Sequence, residues 1–496
     1  MINIYTDKKI RKSGDIRRHD FRFNIRDVPF SRKLSCLMLS EGAARTETGS
    51  ERMQLILGRT LRKYETRANS ELGGAGATPA SSGGAGASSV SSGGAGVLAA
   101  SYGGVPVVRD LAVAISGNEG FAASTQREGP DLMHIRPTYG GRTISYVCSA
   151  TPSLLEMNTE YGFVQFCFDD KDSIRVRGKG IGLRIFIALN PHEFCISRLD
   201  GTWQASFEEA GDFLFVPLKG DVDFDCEWGR DWGRESGQIR KRMGADKAVI
   251  DICPSDSGDD FEFAIHFSMS NVERYSEYKA FDECVADAQS DYTDWYSMYP
   301  IVPSKYEDMK KLAVYCIWIC YTAPMGILKD NIVLFDRRSS GAFSWHQAYH
   351  AMAAAAGNID IAVQIMHSMF LYQDEYGEIP DIVDERYINI LATKPPFHGF
   401  AMLFIMDCAD DALTNAHCES LYGPLSKWYS WWMTIRDTDN DGIPQYNQGC
   451  ESGNDFTMML SKGTPVECPD LITYIILLGE ALGKIAKKLG YNDEAD

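Results

Sequence analysis

The sequence lacks any apolar run long enough to cross a membrane as a helix. Such a helix needs roughly 18 or more apolar residues, and the nearest stretch, residues 312–328, is interrupted by Thr322 and Pro324. The first thirty residues mix aspartates with basic residues and contain no apolar core of a signal peptide. We therefore expect no membrane partner and a cytoplasmic location.

The sequence also lacks an overall excess of positive charge. It carries 49 Lys and Arg against 68 Asp and Glu, a net charge of −19. The basic part is confined to residues 1–70, which hold 16 Lys and Arg against 8 Asp and Glu. Nucleic-acid binding depends on clustered basic residues that displace counterions. We expect no nucleic-acid partner, and a partner that is neutral or small.

Paired cysteine motifs are missing as well. None of the 13 cysteines belongs to a C-x-x-C pair, and most lie in apolar segments. This distribution is typical of buried reduced thiols. It argues against both a disulfide framework and a zinc ribbon.

Charge disappears entirely in residues 72–108, where GGAG recurs every ten residues between Ser and Ala. A Gly/Ser/Ala repeat buries too little apolar surface to offset its ordering entropy, so we expect a flexible linker or insertion. Before it, residues 1–71 form a basic N-terminal segment that contains the first strands. After it, residues 109–270 carry apolar runs of strand length separated by turn residues, which predicts an antiparallel β-sandwich. These runs are 163–168, 183–189, 213–216, 248–252 and 261–267.

Helical spacing replaces strand alternation from residue 271, so residues 271–302 are interpreted as a helical bridge. Residues 303–496 are predicted to be nearly all α. The predicted helices span 305–322, 346–356, 359–373, 397–410, 418–435 and 469–490.

The densest polar segment lies between two of these helices, at residues 436–456. Glu451 and Asp455 are four residues apart, so both carboxylates can approach one ligand if the segment turns once. Glycoside cleavage uses such a pair, with one carboxyl group as the proton donor. The alternative is an acidic loop that is simply solvated surface.

Two other patterns resemble metal sites. His346 and His350 stand in HQAYH, but Gln347 replaces the general-base glutamate of the HExxH motif, which argues against a zinc protease. Asp437, Asp439 and Asp441 begin a D-x-D-x-D-G calcium loop. The twelfth position is Gln448 rather than glutamate, which excludes a full EF-hand. The three aspartates are therefore expected either to hold a structural calcium ion or to form a water-exposed acidic turn.

Three ordered segments resemble the (α/α)6-toroid glycosidases of glycoside hydrolase family 63, mannosylglycerate hydrolase and trehalase. They are FSWHQAYHAMAAAAGNIDIAVQIMHSMFLYQDEYGEIPD (343–381), the KPPFHG loop (394–399), and DTDNDGIPQYNQGCESGNDF (437–456) with the helix that follows it. The resemblance covers most of residues 303–490 and implies a β-sandwich followed by a toroid.

The resemblance also implies roles for individual residues. Asp455 of the ESGxD-type motif corresponds to the general acid. The expected substrate-binding residues, which include Trp345 as an aromatic platform for a sugar ring, are Trp345, His346, Glu451, Lys394 and His398. His346 stands where relatives usually have an aspartate, and an imidazole lacks the strong acceptor pair of a carboxylate. Some relatives bind calcium in the aspartate loop, and no other cofactor is required.

The implied activity is hydrolysis of an α-linked glucoside or mannoside with inversion, and the implied partner is a carbohydrate. A toroid has twelve helices, however, and only six are predicted after Pro303. The family's water-activating base lies beyond any residue of this sequence. We therefore expect either a truncated enzyme or a non-catalytic carbohydrate-binding or interaction protein. The open half-barrel would leave Leu312, Tyr315, Ile319, Leu471, Ile475 and Leu478 uncovered and cause self-association.

Overall fold

A computed structural model of the 496-residue chain describes most of residues 131–495 and a few shorter segments before them. The described ranges are 21–23, 28, 30–35, 37–41, 53–57, 111–115, 131–189, 193–207, 211–228, 234–235, 238–239, 245–255, 258–268, 272, 274–334, 341–384, 387–409, 411–453 and 461–495. They all belong to one compact unit. The predicted linker at 72–108 lies outside the described residues.

Strands fill the first half of the described chain. They are β1 (Phe30–Ser31), β2 (Leu37–Glu41), β3 (Met53–Leu57), β4 (Leu111–Ile115), β5 (Asp131–Tyr139), β6 (Arg142–Thr143), β7 (Val147–Ala150), β8 (Leu155–Asn158), β9 (Phe163–Asp170), β10 (Ser173–Lys179), β11 (Gly182–Ala188), β12 (Phe194–Ser197), β13 (Trp203–Phe207), β14 (Gly211–Lys219), β15 (Asp221–Trp228), β16 (Arg234–Glu235), β17 (Gln238–Ile239), β18 (Ala245–Cys253) and β19 (Asp260–Ser268). All five apolar runs identified in the sequence fall on or overlap strands, at β9, β11, β14, β18 and β19.

Two large sheets organise these strands. The first has the order β1-β2-β3-β4-β5-β11-β18-β15, with β6 paired to β5, and the second has the order β12-β13-β14-β19-β10-β9-β8-β7. Pairing is antiparallel throughout the second sheet, while the first contains one parallel pair, β3 with β4. The prediction of antiparallel sheets in the N-terminal part is confirmed.

A single apolar core takes side chains from both sheets. Ile135, Ile185 and Ile250 come from the first sheet, and Phe166 and Ile265 come from the second. Buried and more exposed residues alternate along β5, β11 and β18, so the first sheet turns one face toward the shared core. β9 and β19 instead contain four and five consecutive buried residues. On β9, Cys167 packs against Phe281 and Cys284 of the first helix after the sheets.

Helices fill the second half. They are α1 (Phe281–Ser297), α2 (Glu307–Cys320), α3 (Ser344–Ala355), α4 (Ile359–His367), α5 (His398–Ala409), α6 (Asn415–Ile435) and α7 (Pro469–Leu489). The connections between them contain the short strands β20 (Tyr321–Thr322), β21 (Ile332–Val333), β22 (Ala342–Phe343), β23 (Ile382–Val383), β24 (Ile388–Asn389), β25 (Gln445–Tyr446) and β26 (Val466–Glu467). Each of the six helices predicted after Pro303 is present.

The helix predicted from residue 271 begins ten residues later, at Phe281. Tyr275 and Tyr278, whose spacing suggested a helix, pack against His266 of β19 with ring centroids 4.1 and 5.6 Å away. The Tyr275 hydroxyl also donates to the Asp170 carboxylate at 2.5 Å. The aromatic spacing therefore reflects packing against the sheet rather than a helix turn.

The predicted uncovered faces of α2 and α7 are mostly buried, so that prediction is wrong at five of its six positions. Only Leu312 is exposed, at 41%. Tyr315 of α2 is covered by Phe21 and Phe23, whose ring centroids lie 6.3 and 4.4 Å from its own. The Ser31 backbone amide also donates to its hydroxyl at 3.2 Å. Residues almost 300 positions earlier in the sequence thus cover the face of α2 that was predicted to be exposed.

Helices α5 and α7 approach each other very closely at Gly399. A Cβ atom at this position would lie 2.3 Å from the Leu478 Cα atom. The contact requires the absence of a side chain. It accounts for the complete burial of Leu478, one of the positions expected to be open.

No helix in the described part of the chain combines the length and the apolar character that a membrane span requires.

Candidate active site

Three segments of the helical half meet at one polar site. They are the start of α3, the loop that precedes α5, and the loop between α6 and α7. The last of these begins at Arg436, directly after α6, and is described as far as Gly453. These are the segments that carry the motifs recognised in the sequence.

Glu451 lies at the centre of this loop and is completely buried. The Arg436 guanidinium donates two hydrogen bonds to its carboxylate, at 3.0 and 2.5 Å. The backbone amides of Asn447 and Gln448 donate to the same carboxylate, at 2.5 and 3.2 Å. Arg436 itself packs on the Trp431 ring at 4.7 Å, so the ion pair is enclosed on the helix side.

Lys394 contacts the same loop from the segment before α5. Its ammonium group donates to the Cys450 carbonyl oxygen. It lies 3.8 Å from the Asp381 carboxylate, and both side chains are more than nine-tenths buried. The Lys394 ammonium thus contacts both the Asp381 carboxylate and the backbone of the loop.

Trp345, in the first turn of α3, packs its six-membered ring against Gly453. A Cβ atom at Gly453 would lie 2.2 Å from the indole, and the backbone there has a φ of +67°. Trp345 also meets Tyr349 edge to face, with centroids 5.9 Å apart. Trp345 is the residue predicted to be a sugar platform, and Gly453 of the loop therefore covers part of its six-membered ring.

The three histidines near α3 and α5 are held in neutral form. Burial lowers the pKa of His346 to about 4, and the neighbouring Lys394 charge contributes to the decrease. Burial also lowers the pKa of His350 and that of His398 to about 4. His398 is 0% exposed, and neither ring nitrogen bonds to a described residue.

Gln347, which occupies the general-base position of the zinc motif, has a structural role. Its side-chain amide accepts from the Val333 amide at 3.1 Å and donates to the Val333 carbonyl at 2.6 Å. It thereby joins α3 to β21.

Asp437, Asp439 and Asp441 lie together, with one carboxylate oxygen from each within 4.8 Å of the others. Asp437 accepts from the backbone amides of Asp441 and Gly442, at 3.1 and 2.9 Å, so the loop wraps around its carboxylate. Each oxygen retains a further lone pair. The cluster therefore has the hard oxygen donors that calcium prefers.

Asp455, the predicted general acid, lies outside the described residues.

Three residues of the site were not identified as candidates from the sequence: Arg436, Asp381 and Glu378. Arg436 is the partner of Glu451, and Asp381 is the partner of Lys394. Glu378 is half-buried, and burial raises its pKa to about 7, with Arg436 opposing and Asp374 and Glu451 adding to the increase. One feature of the sequence could have identified Arg436 as a candidate: it is the one basic residue in residues 436–456.

Residues 339–496 match the family model of the mannosylglycerate hydrolase MGH1-like glycoside hydrolase domain. The resemblance predicted from the motifs is confirmed. Every candidate site residue, described or not, falls within this MGH1-like segment.

Solved structures of similar proteins include several glycosidases. A family 92 α-mannosidase from Bacteroides thetaiotaomicron shares 10% identity over 74% of this chain and 55% of its own, with a TM-score of 0.47. A bacterial glucoamylase in complex with acarbose shares 11% over 74% and 60%, with a TM-score of 0.44. The family 63 mannosylglycerate hydrolase from Thermus thermophilus shares 18% over 31% and 45%, with a TM-score of 0.23.

The chain spans between 45% and 60% of the lengths of these three proteins. At such identities and TM-scores, the likeness carries no argument about what the chain does.

Proposed function

We propose that this protein is a glycoside hydrolase that acts on an α-linked glucoside or mannoside with inversion at the anomeric carbon. The observation that carries the proposal is the match of residues 339–496 to the MGH1-like glycoside hydrolase domain. The proposed architecture is a β-sandwich made of the two packed sheets, followed by helices α2–α7 as part of an (α/α)6 toroid.

In the proposed mechanism, Asp455 donates a proton to the glycosidic oxygen while water attacks the opposite face of the sugar. Inverting enzymes place the two carboxyl groups roughly 6.5–9.5 Å apart to leave room for that water. No residue of this chain is assigned to activate the water.

Neutral His346 complements this chemistry. Its pKa of about 4 keeps the imidazole uncharged at neutral pH, so it can accept or donate one hydrogen bond to a sugar hydroxyl. It does not bring an unpaired charge into a site for a neutral sugar.

The test compares wild-type protein with Asp455→Asn on mannosylglycerate and on aryl α-mannosides and α-glucosides. Asparagine keeps the shape of the side chain but cannot supply the proton. We expect turnover to fall by at least about 100-fold while the affinity for mannose stays within about two-fold.

Two outcomes would contradict the proposal. Unchanged turnover in Asp455→Asn would remove this residue from the acid role. Sugar binding without any turnover in the wild-type protein would favour a non-catalytic carbohydrate-binding protein instead.

A further inference from the structure

The turn formed by residues 447–453 is held from three sides by buried or half-buried side chains. Arg436 reaches it through the Glu451 carboxylate, Lys394 through the Cys450 carbonyl oxygen, and Trp345 through Gly453. The three side chains come from the end of α6, the loop before α5 and the start of α3. Four regions of the chain, including the turn, therefore fix one another.

Burial keeps the Glu451 carboxylate out of reach of a sugar. A carboxylate offers about four acceptor sites on its two oxygens. Three donors reach Oε2, one from Arg436 and one each from the Asn447 and Gln448 amides, and the second Arg436 donor reaches Oε1. The side chain is also 0% exposed, so a ligand cannot reach it without displacing the turn.

Lys394 is also almost fully buried. It lies against Asp381 and the Cys450 carbonyl oxygen, and the residue is only 8% exposed. A lysine that binds a sugar hydroxyl would need one of its donors to point into solvent or into an open cleft.

We propose that Arg436, Glu451 and Lys394 are positioning residues that hold the turn at 447–453 in one shape, and that Glu451 and Lys394 do not contact the sugar. The inference rests on the proposed function, because the turn ends two residues before Asp455 in the sequence. A buried ion pair is weak evidence for added stability. Its value here is to fix the backbone geometry that precedes the acid.

The first test is Glu451→Gln, with Asp251→Asn as its matched control. Glutamine keeps the shape of the side chain but cannot accept both Arg436 hydrogen bonds as an ion pair. Asp251 also forms a two-point contact with Arg184, on the first sheet, at 2.6 and 2.7 Å, with both side chains 26% exposed and far from the motif-bearing loops in the sequence. The control therefore loses the same chemistry at another place.

The second test leaves every charged group intact. Gly453→Ala places a methyl group against Trp345 at a residue with a φ of +67°. Gly201→Ala is its control, because Gly201 has a φ of +78° and nothing within 4 Å of the added carbon. The pair separates the Trp345 clash from the cost of the left-handed backbone.

Three measurements are made on all variants: steady-state kinetics for kcat and KM, calorimetry for the dissociation constant of mannose, and hydrogen exchange of peptides covering residues 447–453. Both site variants should lose at least about ten-fold in kcat and exchange these amides faster, with mannose affinity within about two-fold. The two controls should match the wild-type protein in all three.

A weakened mannose affinity with unchanged exchange in Glu451→Gln would make Glu451 a sugar ligand and overturn the proposal. Unchanged kcat and exchange in both site variants would overturn it as well. If the wild-type protein binds mannose without turnover, the proposed function fails. Hydrogen exchange and mannose affinity, which do not depend on turnover, then still test the positioning role. If Glu451→Gln does not fold, Gly453→Ala still tests the turn, and unchanged kcat and exchange in this variant would overturn the proposal.

Discussion

Glu378 and the pair Arg436–Glu451 show how one guanidinium serves two carboxyl groups. Glu451 takes both hydrogen bonds of Arg436, while Glu378 feels only part of that charge. Burial then dominates, and the pKa of Glu378 rises to about 7. Glu378 is therefore partly protonated at neutral pH.

The raised pKa of Glu378 predicts a dependence of stability on pH. Its folded-state pKa of about 7 lies above the ordinary glutamate value of 4.5, so its contribution to stability is complete below about pH 4.5 and is lost as pH rises through about 7. We therefore compare the free energy of unfolding of Glu378→Gln with that of the wild-type protein. The difference in favour of the variant should be larger at pH 8 than at pH 5, by about 1 kcal/mol after discounting for solvent screening. Urea unfolding at both pH values measures this, and an equal difference at pH 5 and pH 8 would contradict it.

His398 predicts the opposite dependence. Its folded-state pKa of about 4 lies below the ordinary histidine value of 6.5, so the unfolded chain binds more protons and stability falls as pH drops from about 6.5 to 4. His398→Met should raise the free energy of unfolding by about 1–3 kcal/mol, because two buried nitrogens without partners among the described residues are removed. The gain should be larger at pH 5 than at pH 8.

His398→Met also tests the substrate-binding role predicted from the motif. A buried core histidine predicts that mannose affinity stays unchanged, and calorimetry with mannose measures it. A loss of affinity in a folded variant would show that the ring reaches the sugar.

At the residue scale, the sequence could identify Glu451 and Lys394 as members of one site but could not show what they contact. Arg436 lies 15 residues from Glu451, and Asp381 lies 13 residues from Lys394. Neither separation corresponds to neighbours on one helix face. These pairings depend on how the loops fold around each other.

At the scale of the element, the sequence predicted the presence of helices more reliably than the residue at which each helix begins. α7 spans Pro469–Leu489 against a predicted 469–490, because Pro469 opens it and Gly490, with a φ of +81°, ends it. The start of α1 has no such signal. Ala280 precedes it without a side-chain cap, and the tyrosines before it pack on the sheet.

The aspartate loop is the element for which a metal prediction can be tested. If Asp437, Asp439 and Asp441 hold calcium, the ion binds the folded state and stabilises it by mass action. Adding about 1 mM calcium after EDTA treatment should raise Tm by a few degrees, and Asp439→Asn should reduce this increase. Asp360→Asn, on an exposed carboxylate that contacts His417, is the control and should respond like the wild-type protein.

An identical Tm with calcium and with EDTA would favour the other interpretation of this loop, an acidic turn exposed to water. The backbone hydrogen bonds to Asp437 would then suffice to hold its shape.

At the scale of the whole molecule, segments distant in the sequence cover the helices. Apolar runs of strand length, separated by turn residues, predicted the antiparallel sheets. No periodicity could show that Phe21 and Phe23 would lie on Tyr315, nearly 300 residues later. The expectation of an open α2 face failed for that reason.

Because Phe21 and Phe23 cover Tyr315, we expect self-association to increase when this covering contact is removed. Phe23→Ala removes the ring that lies 4.4 Å from Tyr315, and should lower the free energy of unfolding by about 1–3 kcal/mol. It should also increase the apparent mass in light scattering, because apolar surface becomes exposed. Leu199→Ala is the control, since Leu199 is fully exposed and its loss uncovers nothing.

A variant Phe23→Ala with unchanged stability and mass would show that the cover contributes nothing. Association of the wild-type protein to the same extent as the variant would point to another surface.

The contact between α5 and α7 at Gly399 has a consequence for how this sequence can vary. Because the added carbon of even an alanine would lie 2.3 Å from a backbone atom of Leu478, no change of rotamer can relieve the clash. In a library carrying every single substitution and selected for folded protein, position 399 should therefore retain glycine alone. Gly423, on the neighbouring helix α6 with nothing within 4 Å of its added carbon, should accept many residues in the same selection.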